Sequence, residues 1–293
     1  MKIIFAILLV FGLAIGPAVS QNAVLGQFPS HAGLVFLGRF CDATVLNNRH
    51  VLTAATCGLS ETNERLAVGV YSLFVGVINI PAGTAGSIGI SQFYIHEEYN
   101  PFYEHWNNIA VFRTAADIPI NSVPPAAIIE PVEIYDRIVY DGLNCVLVGW
   151  NSAPLHQTTP LQHQVQPIFS RSQCNALAAV SGSLLDSMVC AGTLTTNPMQ
   201  CPNNPGGALY CRGALFAIMS HNRICGQPNA PGVYTQLRFF EDWIARQLNR
   251  TDTPPAGPTH APGHPAPPVG DTGSALMSSL FILVSLLALR FLV

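Results

Sequence analysis

The chain has almost no lysine. Lys2 is the only one among 293 residues, so arginine supplies nearly all of the positive charge, and the formal net charge is −3. Proteins that bind nucleic acid or heparin display clustered basic residues, and the sequence contains no such cluster. We therefore expect no nucleic-acid partner. We also expect no cofactor and no metal, because no pattern typical of such a site is present.

The amino-terminal residues 1–20 predict a secretory signal peptide. Lys2 precedes an apolar run from Ile3 to Ile15, and small residues stand at Ala18 and Ser20. A basic start, a short apolar core and small residues before the cleavage point are typical of such a leader. The alternative is an uncleaved membrane anchor, which is less favoured because the apolar run is short for a bilayer span.

The carboxyl-terminal residues 275–293 are also apolar and follow a cluster of small residues. This order is typical of a GPI-attachment signal, which would place the protein on the outer face of the plasma membrane. Asp271 or Gly273 would be the attachment residue, since small residues follow each. The alternative is a transmembrane tail, for which a basic cytoplasmic flank is expected.

Proline dominates residues 250–274, which predicts an extended, semi-rigid stalk with no packed core. One globular domain remains, residues 21–249, a length that a single all-β domain commonly has. Asn249 begins an Asn-Arg-Thr sequon at the exit from this domain and is a predicted N-glycosylation site.

The domain holds all eight cysteines. An even number of cysteines in a secreted chain predicts a disulfide framework. The sequence alone leaves their pairing open. The positions are Cys41, Cys57, Cys145, Cys174, Cys190, Cys201, Cys211 and Cys225.

Residues 201–211 read Cys-Pro-Asn-Asn-Pro-Gly-Gly-Ala-Leu-Tyr-Cys. This segment resembles the nucleophile loop of the chymotrypsin-like (trypsin-family) serine proteases, Cys-x-Gly-Asp-Ser-Gly-Gly-Pro-Leu-x-Cys. Pro205 stands at the serine position, Asn204 at the aspartate position and Asn203 at the glycine position. Proline has no N–H group, so the resemblance implies that both the nucleophile and one oxyanion-hole donor are missing.

The other two catalytic positions are also changed. Residues 41–57 resemble the segment Cys-Gly-Gly-x-Leu-Ile…Val-Leu-Thr-Ala-Ala-His-Cys, with Thr56 at the histidine position. Residues 107–111 resemble Asn-Asp-Ile-Ala-Leu, with Asn108 at the aspartate position. Threonine has no titratable nitrogen to act as a base, and an amide does not stabilise a charged imidazole. The resemblance therefore predicts a chain without protease activity.

The resemblance runs from about Val24 to Leu248. It implies an all-β fold of two six-stranded antiparallel β-barrels with a C-terminal helix at Phe240–Leu248, where apolar residues also recur at helical spacing. It implies the disulfide pairs Cys41–Cys57, Cys145–Cys211, Cys174–Cys190 and Cys201–Cys225. Apolar runs at Val68–Ser72 and Val75–Pro81 predict further strands.

Two other parts of the family pattern are altered. Met199, His221 and Asn222 stand at positions of the substrate-specificity pocket, and the resemblance implies a narrowed cleft.

Val24-Leu-Gly resembles the amino terminus that proteolytic activation creates in the family, but no arginine or lysine lies between the signal peptide and Val24. Asn204 also lacks the charge that would bind a freed amino terminus. We therefore expect no activation step.

Two histidines outside these positions invite a functional interpretation. His50 lies six residues before Thr56, and we expect it to be structural and not a relocated base. His96 is followed by Glu97 and Glu98, but adjacent residues of a strand point to opposite faces. We therefore expect a solvated loop there and no metal site.

The sequence favours a secreted, GPI-anchored, non-catalytic serine protease homologue that binds an unknown protein at the cell surface. It resembles azurocidin-like and arthropod serine protease homologues, which implies a role in innate immunity or in a proteolytic cascade. One alternative is a hydrolase with a rearranged active site. Another is an azurocidin-like antimicrobial or heparin-binding protein, which the lack of lysine disfavours.

Overall fold

The computed structural model describes residues 20–101, 105–120, 129–150, 160–177, 184–192, 204–221 and 231–250. The chain divides into two compact units, residues 1–259 and 260–293, and every described residue belongs to the first. The predicted GPI-attachment signal and nearly all of the predicted signal peptide and stalk lie outside the described residues. Within the described ranges, no helix is both long enough and apolar enough to cross a bilayer.

Strands dominate the described residues. They are β1 (Gln21–Asn22), β2 (His31–Phe36), β3 (Arg39–Val45), β4 (His50–Thr53), β5 (Tyr71–Val75), β6 (Ile88–Ile95), β7 (Ala110–Thr114), β8 (Asn144–Gly149), β9 (Gln162–Phe169), β10 (Met188–Ala191), β11 (Ala208–Cys211), β12 (Ala214–His221) and β13 (Gly232–Gln236). Two α-helices accompany them, α1 (Arg171–Asn175) and α2 (Glu241–Leu248).

The strands form two closed antiparallel barrels. The first closes in the order β2-β3-β4-β7-β6-β5. The second has the order β9-β10-β13-β12-β11-β8 and closes through pairing of β8 with β9, while β1 extends its β9 edge. Two six-stranded barrels and a short C-terminal helix are what the sequence predicts, so this prediction is confirmed.

The first barrel fills with alternate side chains of its strands. Ala32, Leu34 and Phe36 of β2 are at most 1% exposed, as the two-residue period of a strand requires. Phe93 and Phe112 stack in its centre with ring centroids 4.7 Å apart. Burial of such large aromatic rings supplies much of the apolar contact area that stabilises the barrel.

A second apolar cluster joins the two barrels. It combines Leu52 and Val111 of the first barrel with Val148 and Ile218 of the second. Helix α2 contributes Trp243 to the same cluster. Buried side chains of both barrels therefore form one continuous apolar core at the junction.

Two strand predictions were wrong in detail. Residues 68–70 form a 3-10 turn, and β5 begins only at Tyr71. No strand forms between Gly76 and the start of β6, because Gly76 takes a φ of +64° and turns the chain away. Ile78 instead faces the second barrel, where its carbonyl accepts hydrogen bonds from the Trp150 indole and from the Leu161 N–H.

Three of the four predicted disulfides are confirmed. The Cα atoms are 6.2 Å apart in Cys41–Cys57, 4.5 Å in Cys145–Cys211 and 6.1 Å in Cys174–Cys190, within the normal range for such bonds. Cys201 and Cys225 lie outside the described residues, so that pair stays a prediction.

The turn between β2 and β3 generates a stability prediction. Leu37 and Gly38 form a two-residue hairpin loop, with φ values of +46° and +75°. Positive φ at both positions strongly favours Asn-Gly, and leucine is strained there. We expect Leu37→Asn to stabilise the protein by about 1 kcal/mol, measured by thermal unfolding.

Leu37 is 65% exposed, so the variant also removes an exposed apolar side chain. Val24→Asn is the matched control, because Val24 is 69% exposed and does not have a positive φ. An equal gain in both variants would contradict the explanation from backbone strain.

Candidate functional site

The predicted catalytic positions meet at the junction of the barrels. Thr56 lies in a 3-10 turn (Ala55–Gly58) after β4, and Asn108 lies just before β7. Pro205 belongs to the described part of the predicted nucleophile loop, residues 204–207, which leads into β11. Ser220, which sequence reasoning did not single out, joins them from β12.

Asn108 is completely buried, and its side chain bridges both barrels. Its Oδ1 accepts the main-chain N–H of Thr56 at 3.1 Å. Its Nδ2 donates to the main-chain carbonyl of Ser220 at 3.1 Å and to the Ser220 hydroxyl at 3.0 Å. An N–H group can only donate and a carbonyl can only accept. An amide with this orientation therefore satisfies both main-chain partners, whereas an ionised carboxylate would satisfy only the Thr56 N–H.

The Thr56 side chain takes no part in this network. Its Oγ1 is buried and has no hydrogen-bond partner among the described residues. Only the main-chain N–H of Thr56 contacts Asn108. The position that would carry a base therefore supplies neither a titratable group nor a side-chain hydrogen bond to Asn108.

The main-chain N–H groups of Gly206 and Gly207, in the loop 204–207, form hydrogen bonds within the protein. The Gly206 N–H donates to the Met219 carbonyl at 2.9 Å, and the Gly207 N–H donates to the Asn204 carbonyl at 3.2 Å. Pro205 has no N–H, and its carbonyl accepts the Asp42 N–H at 3.0 Å. No main-chain N–H of residues 205–207 is therefore available to bind a negatively charged oxygen.

Asp42 and His31 form a buried pair beside this loop, and sequence reasoning missed both residues. His31 Nε2 lies 2.9 Å from Asp42 Oδ1, and the two residues are 2% and 1% exposed. Burial raises the pKa of the Asp42 carboxyl, while the contacts with His31, the Trp150 N–H and the Asn204 side chain oppose that rise. The available signal was a carboxylate directly after Cys41, where the family motif has glycine.

The side chains of His50 and His96 contact other residues and not Asn108. His50 Nδ1 lies 3.0 Å from Asn47 Oδ1 in the β3–β4 turn, and burial with the nearby Arg113 and Arg49 lowers its pKa to about 4. His96 packs against Phe240 and Trp243.

Glu97, the neighbour of His96, accepts the Trp243 indole N–H at 2.8 Å. His96 and Glu97 therefore fasten α2 to the first barrel. Within the described ranges, no three or more histidine, cysteine or acidic side chains form a group that could hold a metal ion.

Comparison with known proteins agrees with this geometry. The sequence profile of the trypsin family matches residues 19–244. The chain belongs to the trypsin family. It is 28% identical to an anionic trypsin of Canis lupus familiaris over 232 residues, which cover 78% of this chain and 86% of that protein. It is 29% identical to serine protease 1 of Rattus norvegicus over 211 residues, 70% of this chain and 78% of that protein.

In this trypsin-family chain, the segment that resembles the activated amino terminus lies on the surface. Val24 is 69% exposed and Leu25 is 61% exposed. The Val24 N–H donates to Gln27 Oε1 at 3.0 Å, and β1 just before it pairs with β9. Val24 therefore does not insert beside Asn204.

The specificity-pocket positions are described only in part. His221 ends β12, and its main chain pairs with Val233, but its side chain is outside the description. Met199 and Asn222 lie outside the described residues, so a narrowed cleft stays a prediction. Asn249 is exposed at the end of α2, and its glycosylation also stays a prediction.

Asn108→Asp tests whether this trypsin-family site is built around an amide. At pH 7 we expect the free energy of unfolding to fall by about 2 kcal/mol or more. A buried carboxylate would face the Ser220 carbonyl and could not donate a hydrogen bond to it. The folded state would favour the protonated acid, which can donate, so the loss should shrink as pH falls. Thermal unfolding at pH 7.5 and pH 4.5 measures the difference.

Asn144→Asp is the control, since Asn144 is exposed at the start of β8. This variant should change the free energy of unfolding little at either pH. If Asn108→Asp were tolerated at pH 7.5 as well as this control, the amide would not be a requirement of the fold.

Proposed function

We propose that this chain is a non-catalytic member of the trypsin family that is secreted, GPI-anchored and active as a binding or regulatory module on the cell surface. A role in innate immunity or in a proteolytic cascade belongs to the same proposal. The fold alone does not decide this, because one fold supports many functions. The proposal rests on the chemistry of the site.

The hydrogen bonds of Asn108 carry the proposal. Thr56 and Ser220 present a main-chain donor and a main-chain acceptor to it, and a neutral amide satisfies both at once, whereas an ionised carboxylate cannot donate to the Ser220 carbonyl. An aspartate in this place would leave the Ser220 carbonyl without that partner. The site is thus adapted to a residue that supports no proton transfer, which differs from an active site that has lost a single group.

The loop 204–207 supports the same conclusion. An acyl-transfer enzyme needs a nucleophile and preorganised N–H donors for the developing negative charge. Pro205 offers neither, and the N–H groups of Gly206 and Gly207 are already bonded within the protein. Losing the orienting aspartate alone costs about 10⁴-fold in rate in a serine protease.

The enzymatic prediction is tested with a fluorophosphonate probe that labels active serine hydrolases. We expect no labelling of the secreted protein above a heat-denatured sample, because Pro205 replaces the nucleophile and neither Thr56 nor Asn108 can act as its base. Canine anionic trypsin serves as the positive control. Labelling of the native protein that disappears in Ser220→Ala would identify a rearranged nucleophile and overturn the non-catalytic assignment.

The anchoring prediction is tested on intact cells with phosphatidylinositol-specific phospholipase C. We expect the enzyme to release the protein into the medium, because the small residues around Asp271 and the apolar residues 275–293 form an attachment signal. A double variant, Asp271→Trp with Gly273→Trp, should lose releasable surface protein, since attachment needs small residues. Surface protein that resists release would indicate a transmembrane tail.

Crosslinking before release identifies what the anchored protein contacts. A binding module should give a defined crosslinked species that unlabelled soluble domain competes away. Recovery of background proteins alone would contradict the binding role, whatever the mode of anchoring.

A further inference from the structure

The loop 204–207 contacts the first barrel at Asp42, and Cys57 Sγ also lies 3.8 Å from the Pro205 carbonyl. The Asp42 N–H donates to the Pro205 carbonyl at 3.0 Å. A Cβ atom on Gly206 would lie only 2.0 Å from the Asp42 carbonyl oxygen, so glycine is required for the loop to lie this close. The Thr53 hydroxyl donates to that same carbonyl at 2.7 Å.

The Asp42 side chain reaches the second barrel as well. Its Oδ1 accepts the Trp150 N–H at 3.2 Å, and the Asn204 side chain contacts the carboxyl group. Asn204 in turn donates from Nδ2 to the Trp150 carbonyl. Gly149 leaves room for this approach, since a Cβ there would lie 2.8 Å from Asp42 Oδ2.

His31 is the remaining partner of this carboxyl. Pairing of β2 with β3 places His31 opposite Thr44 and Gly33 opposite Asp42. His31 and Asp42 are therefore diagonal neighbours on one face of the sheet, a separation that long side chains bridge. The His31 ring also lies 5.2 Å from the Trp150 ring, so both members of the pair contact the second barrel.

We propose that the buried His31–Asp42 pair is an internal latch that fixes the loop 204–207 and the end of β8 against the first barrel without cleavage of the chain. Both members belong to adjacent strands of one barrel, so the latch is complete as soon as that barrel closes. It needs no freed amino terminus, which agrees with the exposure of Val24 on the surface. The latch is independent of the proposed binding function.

Hydrogen exchange with mass spectrometry tests the latch on the secreted protein. Asp42→Ala should accelerate amide exchange in residues 204–211 and 144–150 by about tenfold or more, because it removes the carboxyl group that the Trp150 N–H and the Asn204 side chain contact. Exchange in β6, which lies opposite β3 across the first barrel, should stay unchanged. The Tm should also fall by about 10 °C, since His31 is left buried without its partner.

Three further variants separate the latch from ordinary packing. His31→Gln should accelerate amide exchange in the same two segments. Combining it with Asp42→Ala should lower the free energy of unfolding by less than the sum of the two single losses, because the two residues act as a unit. Asp117→Asn removes an exposed carboxylate that pairs with Arg49 and should change neither segment.

Val24→Asp tests the independence from the amino terminus, and it should leave exchange in residues 204–211 unchanged. The proposal is overturned if Asp42→Ala and His31→Gln accelerate exchange evenly through the first barrel, or if their losses in the free energy of unfolding simply add. Faster exchange at 204–211 in Val24→Asp would instead show that the amino-terminal segment holds the loop.

Discussion

The contact between Asp42 and the loop 204–207 is the constraint on which the site depends. One residue binds the Pro205 carbonyl through its N–H, the Trp150 N–H through its carboxyl group and the Thr53 hydroxyl through its carbonyl. These groups come from both barrels, so the geometry at Asn108 and Ser220 follows from how the barrels are fastened together. A protein that needed to switch this loop between two shapes would gain little from so many simultaneous bonds.

Short motifs made much of the fold predictable. The resemblance to the family implied the three disulfides that the described residues contain, and apolar residues at helical spacing in Phe240–Leu248 predicted α2. Both predictions rest on motifs and residue patterns that can be found in the sequence itself. Of the strand predicted at Val75–Pro81, only Val75 lies in a strand, since the apolar residues after Gly76 pack on the other barrel. Apolar content alone does not distinguish such packing from strand pairing.

The sequence predicted which residues form the site but not the hydrogen bonds between them. Thr56, Asn108 and Pro205 followed from motifs. The preference for an amide over an ionised carboxylate at Asn108 came only from the Ser220 carbonyl, 112 residues away in the chain. The His31–Asp42 pair was hidden for a similar reason. Each residue alone is one polar side chain in an apolar strand, and only the β2–β3 register makes them neighbours.

The short strand β1 has a consequence for biosynthesis. Gln21 pairs with His163, whereas the strands of the first barrel lie between His31 and Thr114. During synthesis the first barrel can therefore close long before residues 21–22 have a partner, as contacts between distant residues form late. These two residues should become fixed only when β9 of the second barrel has formed beside them.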